Sequence, residues 1–292
     1  MSETKKSKPE VFKQGTDQVG ESPLWEPTTG LLYWVDIWGK RVNAIDYGGL
    51  STTWDLPSET GFIARDGGDS FLLGLRNGIY KWRPNETARE LAIPSNEPAA
   101  NRFNDGKTDR QGRIWTGTMS TQNRVPTGNL YRMSTRGQMT VVDTDLVVPN
   151  TLAWNPTGNV MYFSDSWYGA IHAYSYDPES GERFQRRVFV EADPDSGDPD
   201  GACVDVDGCL WVARFKRGAI FRYTPAGKVD RVIDLPVDQV TSCAFGGSDM
   251  KTLFITTATA RMTDDQLKAQ PLAGSLFAAV PGTQGLVEAS AV

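Results

Sequence analysis

Leu31-Leu32-Tyr33-Trp34-Val35 is a short apolar run of strand-forming residues, and its pattern returns five more times along the chain. The later copies are Phe71-Leu72-Leu73-Gly74, Arg113-Ile114-Trp115-Thr116, Val160-Met161-Tyr162-Phe163, Cys209-Leu210-Trp211-Val212 and Thr252-Leu253-Phe254-Ile255. Their spacing is roughly 40 to 50 residues, the period of a β-propeller with one repeat per blade. A β-sandwich does not generate six copies at that period. The expected fold is therefore all-β, a six-bladed propeller.

Outward from each copy the blade pattern fills in. Turn glycines precede several copies, in Thr29-Gly30, Gln111-Gly112, Thr157-Gly158 and Asp207-Gly208, where a tight hairpin needs a positive φ. A second, alternating strand follows each copy, as in Arg41-Val42-Asn43-Ala44-Ile45 and Ala219-Ile220-Phe221-Arg222-Tyr223. Closing the ring requires the two chain ends to share a blade, so a segment within residues 10–17 is expected to pair as a strand beside residues 275–280. Only residues 263–270 suit a short helical turn. No linker divides the chain, so residues 1–292 are expected to form a single propeller domain, with residues 1–9 as a flexible tail.

Roughly ten residues before each copy stand Glu21, Thr60, Asn104, Asn150, Asp200 and Thr241, an offset well inside one repeat. Equivalent positions in a propeller form a ring about its axis. The register thus gathers one Glu, one Asp and two Asn around one channel.

Bulk composition narrows the function. The 292 residues carry a formal net charge of −6, against a nucleic-acid partner, which demands a basic face. No apolar run approaches the ~18 residues of a membrane span, and the N-terminus lacks the apolar core of a signal peptide. Cys203, Cys209 and Cys243, an odd number in apolar settings, read as buried free thiols, and a cytoplasmic location follows naturally. Asn85-Glu86-Thr87 matches a glycosylation acceptor, which has no meaning without export.

The available chemistry is equally restricted. His172 is the single histidine and lies on an alternating strand away from the ring, so no Ser-His-Asp or Cys-His triad is at hand. Nucleophile elbows, phosphate-cradling glycine loops and zinc clusters are absent from the sequence. Oxygen ligands remain. Glu21, Asn104, Asn150 and Asp200 suit a hard divalent cation, although Asn and Asp also cap turns at blade ends. The acidic stretch from Asp193 to Asp200 breaks the order of a calcium-binding EF-hand loop, and only Asp200 is expected to point inward. Asp205 and Asp207 are expected to serve the Asp-Gly turn.

Read in order, Gly20-Glu21-Ser22-Pro23-Leu24-Trp25, Asn101-Arg102-Phe103-Asn104-Asp105-Gly106, Gly112-Arg113-Ile114-Trp115-Thr116-Gly117-Thr118-Met119, Pro149-Asn150-Thr151-Leu152-Ala153-Trp154 and Pro199-Asp200-Gly201-Ala202-Cys203-Val204-Asp205 resemble the motifs of the senescence-marker-protein, gluconolactonase and luciferin-regenerating-enzyme family. The resemblance runs from Gly20 to about Asp205. It implies a six-bladed propeller with one divalent metal ion in the central channel, of Ca, Zn, Mn, Mg or Fe identity. It implies Glu21, Asn150 and Asp200 as metal ligands, and Arg102 and Asn104 as substrate contacts.

Two positions depart from the pattern. The asparagine motif of the family usually continues with Gly, where this chain has Thr151. Gln122, in Ser120-Thr121-Gln122, stands where some relatives place an acidic sugar contact. Lys216-Arg217 also occupies a blade connection where small residues are common; it reads as a solvated basic turn or as a contact to an anionic sugar acid.

The expected activity is metal-dependent hydrolysis of a sugar aldonolactone to the aldonic acid, with Asp200 as general base for the attacking water. The expected partner is a small-molecule sugar lactone, without nucleic acid or membrane, on a monomer or weak homo-oligomer. Hydrolysis of aryl esters or phosphotriesters, and a non-enzymatic binding propeller, are the alternative readings.

Overall fold

The computed structural model describes residues 8–134 and 137–291. Six four-stranded antiparallel sheets succeed one another around an axis. The first blade comprises Gly20–Glu26, Leu31–Asp36, Arg41–Ile45 and Ser51–Asp55; the second, Thr60–Arg65, Phe71–Leu75, Gly78–Trp82 and Arg89–Ala92. The third comprises Asn101–Thr108, Ile114–Ser120, Gly128–Met133 and Met139–Leu146; the fourth, Pro149–Trp154, Val160–Asp165, Ile171–Asp177 and Glu182–Val190. The fifth comprises Asp198–Val204, Leu210–Phe215, Ala219–Tyr223 and Val229–Asp234. The sixth takes Val240–Gly246, Thr252–Thr257 and Leu276–Ala279 from the end of the chain and Glu10–Lys13 from its start.

That last pairing is the expected ring closure, with Glu10 opposite Ala278 and Val11 opposite Phe277. It ties both chain ends into one blade, so that the first and last blades pack against each other and the ring closes. The tail expected over residues 1–9 falls outside the described residues except for Lys8 and Pro9, which precede this strand.

The recurring apolar run of the sequence is the second strand of every blade. It is buried on both faces because neighbouring blades pack against it. Tyr33, Val35 and Val42 of the first blade meet Ile63, Phe71 and Trp82 of the second, and Trp115 and Leu130 of the third meet Trp154, Met161 and Tyr176 of the fourth. The outermost strands face solvent, as the exposed pattern of Glu182–Val190 illustrates.

Buried aspartates at strand ends fasten the turns. Asp36 accepts from the backbone N–H groups of Gln18, Val19 and Gly39, and Asp165 from those of Val147, Val148 and Trp167. Asp205 accepts from the N–H groups of Asp207 and Cys209 and from the Trp211 indole, which accounts for its place before Gly208. The helical segment is Asp264–Ala269, closed by a reciprocal capping box between Thr263 and Gln266. Among the described residues no helix is long and apolar enough to cross a membrane.

Candidate metal centre and substrate cavity

The innermost strand of each blade breaks register with its neighbour at one place. The irregularities fall between Glu21 and Leu24, Thr60 and Ile63, Phe103 and Gly106, Asn150 and Ala153, Pro199 and Ala202, and Val240 and Ser242. Every polar ring position of the sequence sits at or inside one of these bulges. A bulge bends its strand and re-aims a side chain, and here that turns the ring toward the axis.

The residue after each ring position ties its blade to the next or makes room for it. Ser22, at φ +50°, accepts from the Ile63 N–H at 3.1 Å. Asp105 Oδ2 accepts from the Leu152 N–H at 3.1 Å. Thr151 donates to the Asp200 carbonyl at 2.7 Å. At Gly61 a Cβ would lie 2.3 Å from the Asn104 carbonyl oxygen, and at Gly201 2.1 Å from the Ser242 hydroxyl, so only glycine permits those approaches.

A cavity of about 430 Å³ opens at one end of the axis. Glu21, Arg102, Asn104, Gln122, Asn150 and Asp200 all line it, so the residues singled out by sequence share one space. Thr241 lines it as well, its hydroxyl donating to the Gly20 carbonyl at 2.5 Å. The Thr60 hydroxyl is buried without a partner and does not reach the cavity wall.

A polar chain crosses three blades along the wall of this cavity. Arg102 Nη1 donates to Asn104 Oδ1 at 2.9 Å, and Asn104 Nδ2 donates to Asn150 Oδ1 at 3.0 Å. Asn150 Nδ2 donates to Ser166 Oγ at 2.9 Å, which donates to the Pro199 carbonyl at 2.5 Å. Asn104 therefore orients its neighbours, with both ends of its amide engaged inside the protein. Ser166 is a site residue that sequence reasoning missed. Its one signal is the polar Ser164-Asp165-Ser166 following an apolar repeat strand.

Neither Glu21 nor Asp200 forms an ion pair among the described residues. Glu21 Oε2 accepts from the Ser22 N–H at 3.1 Å. Burial and then the Asp105 charge push the Glu21 carboxyl up to about 8. Burial, then Glu21 and Asp105, push Asp200 well above the usual carboxylate range.

Arg102 and Lys107 compensate these crowded carboxylates only in part, and a divalent cation would supply the remainder. Two carboxylates and one amide oxygen are also the hard donors such a cation takes, so the residues fit the implied metal. No group of three His, Cys, Asp or Glu side chains suited to a metal occurs among the described residues. The protein would thus provide Glu21, Asn150 and Asp200, leaving the rest of the coordination shell to water or substrate.

Below the ring lies a second layer that the sequence did not reveal. Lys107 donates to the Ala202 carbonyl and stands 3.5 Å from Glu288. Burial draws the Lys107 ammonium down, but Glu288 and Asp105 outweigh it and hold it above its usual value. Glu288 belongs to the C-terminal segment, which crosses this end of the channel. The segment is held by Arg65 at the Glu288 carbonyl, Thr108 at the Ala289 carbonyl and the Arg65 carbonyl at the Ala291 N–H.

One expectation needs correction. Asp198 also lines the cavity, where it pairs with Lys216 at 2.7 Å, so Asp200 is not the only inward residue of the acidic loop. Of the pair Lys216-Arg217, Lys216 borders the cavity with its side chain 65% exposed. Arg217 turns away to Asp234 at 3.1 Å. The sequence pair thus splits across a single turn, because Lys216 occupies the left-handed region at φ +69°. His172 lies on the third strand of the fourth blade, 2.8 Å from Arg186 and off the axis, and the three cysteines are buried and unbridged.

Comparison with known proteins agrees with this geometry. The profile of the SMP-30/Gluconolactonase/LRE-like region matches residues 19–259. A 6-deoxy-6-sulfogluconolactonase of Pseudomonas putida is 34% identical over 92% of this chain and 94% of its own length. Regucalcin of Xenopus laevis is 33% identical over 90% of each chain. The crystal structure of a calcium-binding regucalcin from Agrobacterium tumefaciens superposes with a TM-score of 0.93 at 26% identity, covering 97% of this chain and 96% of that one.

Proposed function

Because the chain belongs to the SMP-30/Gluconolactonase/LRE-like family, we propose that it is a divalent-metal-dependent hydrolase that opens a sugar lactone to its aldonic acid. The observation that carries this reading is the convergence of Glu21, Asn150 and Asp200 with Arg102 and Gln122 on one cavity. Relatives named as a sugar-acid lactonase and as regucalcin support the lactone and the cation respectively.

Glu21, Asn150 and Asp200 would hold the cation, which would supply Lewis-acid polarisation of the lactone carbonyl. The protein's own residues do the rest. Asp200 accepts a proton from the water that attacks the carbonyl carbon, a contribution typically worth ~10²- to 10⁴-fold. The C–O bond to the ring oxygen then breaks, and Asp200 returns its proton to that oxygen, which becomes the hydroxyl of the open chain.

Asn104 holds Arg102 on one side and Asn150 on the other, so the substrate-facing guanidinium and the metal-facing amide keep a fixed separation. Gln122 offers amide groups to ring hydroxyls at the mouth. The cavity wall mixes apolar surface with the carboxylate, amide and guanidinium groups that ring hydroxyls require as partners.

The test is pH-drop hydrolysis of a panel of aldonolactones by metal-stripped protein, resupplied in turn with Ca²⁺, Mg²⁺, Mn²⁺, Zn²⁺ and Fe²⁺. A metal-dependent rate that collapses at least a hundredfold in Asp200→Asn is the expected result. No metal-dependent rate above spontaneous hydrolysis for any lactone overturns the assignment.

A further inference from the structure

A side chamber of about 320 Å³ opens off the main cavity. The two spaces share Trp38, Arg102, Met119, Ser120, Thr121 and Arg261, and Gln18 and Glu59 complete the chamber. The lactone chemistry at Glu21, Asn150 and Asp200 leaves this chamber unexplained.

Its arginines lack direct ion pairs. Arg102 is buried, with 8% of its surface exposed. Its Nη1 donates only to neutral acceptors, the Phe103 carbonyl at 2.7 Å and Asn104 Oδ1. Arg261 reaches over the Trp38 ring, 5.8 Å from its centroid. Neither arginine forms an ion pair among the described residues.

The one carboxylate of the chamber wall, Glu59, is already held by Arg76 at 3.0 Å. In the main cavity Asp198 is likewise held by Lys216. Two guanidinium groups therefore border one cleft with no carboxylate of the described residues within ion-pairing distance: Arg102 is buried and feels Glu21, Glu59 and Asp200 only at longer range, whereas Arg261 is exposed at the mouth and open to an anionic ligand.

The backbone reinforces this reading. Arg261 sits at φ +58°, in the left-handed region that side-chain-bearing residues enter at a cost. It lies in the turn from Thr259 to Met262, just before the helix Asp264–Ala269. Trp38 and Met119 give the chamber apolar walls suited to the C–H face of a sugar carbon chain. Guanidinium forks match the paired oxygens of carboxylate, phosphate or sulfonate groups.

We propose that this chamber is a subsite for an anionic group at the end of the substrate remote from the lactone carbonyl. The substrate class is then an acidic sugar lactone, bearing a terminal carboxylate, phosphate or sulfonate. This identification rests on the lactonase reading for the carbonyl end, but the anion subsite is testable without it.

Two measurements on the full-length, metal-supplied protein separate the claims. The first compares kcat/KM for aldonolactones that differ only at the terminal carbon: hydroxyl, carboxylate, phosphate or sulfonate. At least one anionic substrate is expected to exceed the neutral one by tenfold or more. Arg261→Gln narrows that ratio about tenfold, whereas Arg217→Gln, which makes the same change of charge outside the cavity, leaves the ratio as it was. The identity of the preferred group distinguishes the three anion chemistries.

The second measures calorimetric binding of non-hydrolysable six-carbon alditols with the same terminal groups. An anionic alditol that binds more tightly than the neutral one, and loses that advantage in Arg261→Gln, supports the subsite even if no lactone is hydrolysed; the lactonase reading alone then fails. Equal binding of neutral and anionic alditols, or a preference that Arg217→Gln reduces as much as Arg261→Gln, overturns the subsite. Hydrolysis of neutral lactones would then leave the lactonase reading standing without it.

Discussion

The Thr151 hydroxyl donates to the Asp200 backbone carbonyl at 2.7 Å while Thr151 itself holds φ at +61°. Ser164 donates to the same hydroxyl at 2.7 Å, so it is engaged on both sides. A β-branched residue in the left-handed region is strained, and the cross-blade bond is what offsets that strain. Thr151 thereby joins the strand that carries Asn150 to the strand that carries Asp200.

Substitution at Thr151 should separate the two effects. Thr151→Ala keeps the strain and loses the bond, for an expected loss of about 2 kcal/mol. Thr151→Gly also loses the bond but relieves the strain, and should cost about 1 kcal/mol less than the alanine variant. Urea unfolding of both variants checks the order. An alanine variant as stable as the glycine variant would show that the left-handed conformation carries no penalty.

The buried end of the channel makes a second prediction. Lys107 and Glu288 stand 3.5 Å apart with side chains 18% and 16% exposed, and Arg110 approaches the other Glu288 oxygen at 3.7 Å. Glu288→Gln leaves the Lys107 ammonium poorly compensated and should cost about 1–3 kcal/mol. Adding Lys107→Met should recover part of that loss, giving a coupling energy above about 0.5 kcal/mol in a double-mutant cycle. Strict additivity would mean that the tail is held by its backbone contacts alone.

These two cases mark the boundary of what the sequence makes legible. The recurring second strands expose the propeller because each is packed on both faces and must stay apolar. The ring positions follow from register alone, since equivalent residues of equivalent blades share the axis. Lys107 and Glu288 lie 181 residues apart in sequence and meet only because the chain end crosses the propeller. Arg261 shows no pattern, because its role depends on one left-handed turn and on Trp38 from the opposite end of the chain. Lys216 and Arg217 are adjacent and alike in charge, yet a single φ sends them to different environments.

Asp17 gives a pH-dependent prediction. The Trp34 indole donates to its Oδ2 at 2.7 Å and Arg41 approaches its Oδ1 at 3.3 Å. Burial nonetheless pushes its carboxyl up to about 6 from an ordinary 3.8. The folded protein therefore binds this proton more tightly than the unfolded chain. The cost of ionisation is fully present above pH 6 and disappears as pH falls toward 4.

That displacement corresponds to about 3 kcal/mol. Asp17→Asn should then gain stability relative to the parent at pH 8 by up to that amount compared with its standing at pH 4. Arg41 keeps its 2.8 Å pair with Asp36, so the lost Arg41 contact subtracts little. Unfolding free energies of both proteins at the two pH values decide the matter; a difference independent of pH would mean that Asp17 titrates normally.

Ser166 tests whether the polar chain along the cavity wall serves the proposed cation site. Its hydroxyl accepts from the Asn150 amide at 2.9 Å and donates to the Pro199 carbonyl at 2.5 Å. It thus fixes which way the Asn150 amide faces, presenting the oxygen toward Asn104 and the cavity and the nitrogen toward the wall. Ser166→Ala removes the acceptor of that nitrogen without removing any candidate ligand. Outer partners of this kind typically govern metal affinity by ~10- to 100-fold. The expected outcome is a divalent-cation Kd at least tenfold weaker by calorimetry, with the unfolding midpoint of the metal-stripped protein lowered only slightly. Lactone kcat should recover when the variant is saturated with cation, because Asp200 and Arg102 remain in place. A variant that binds cation as tightly as the parent would show that Asn104 alone is sufficient to orient Asn150.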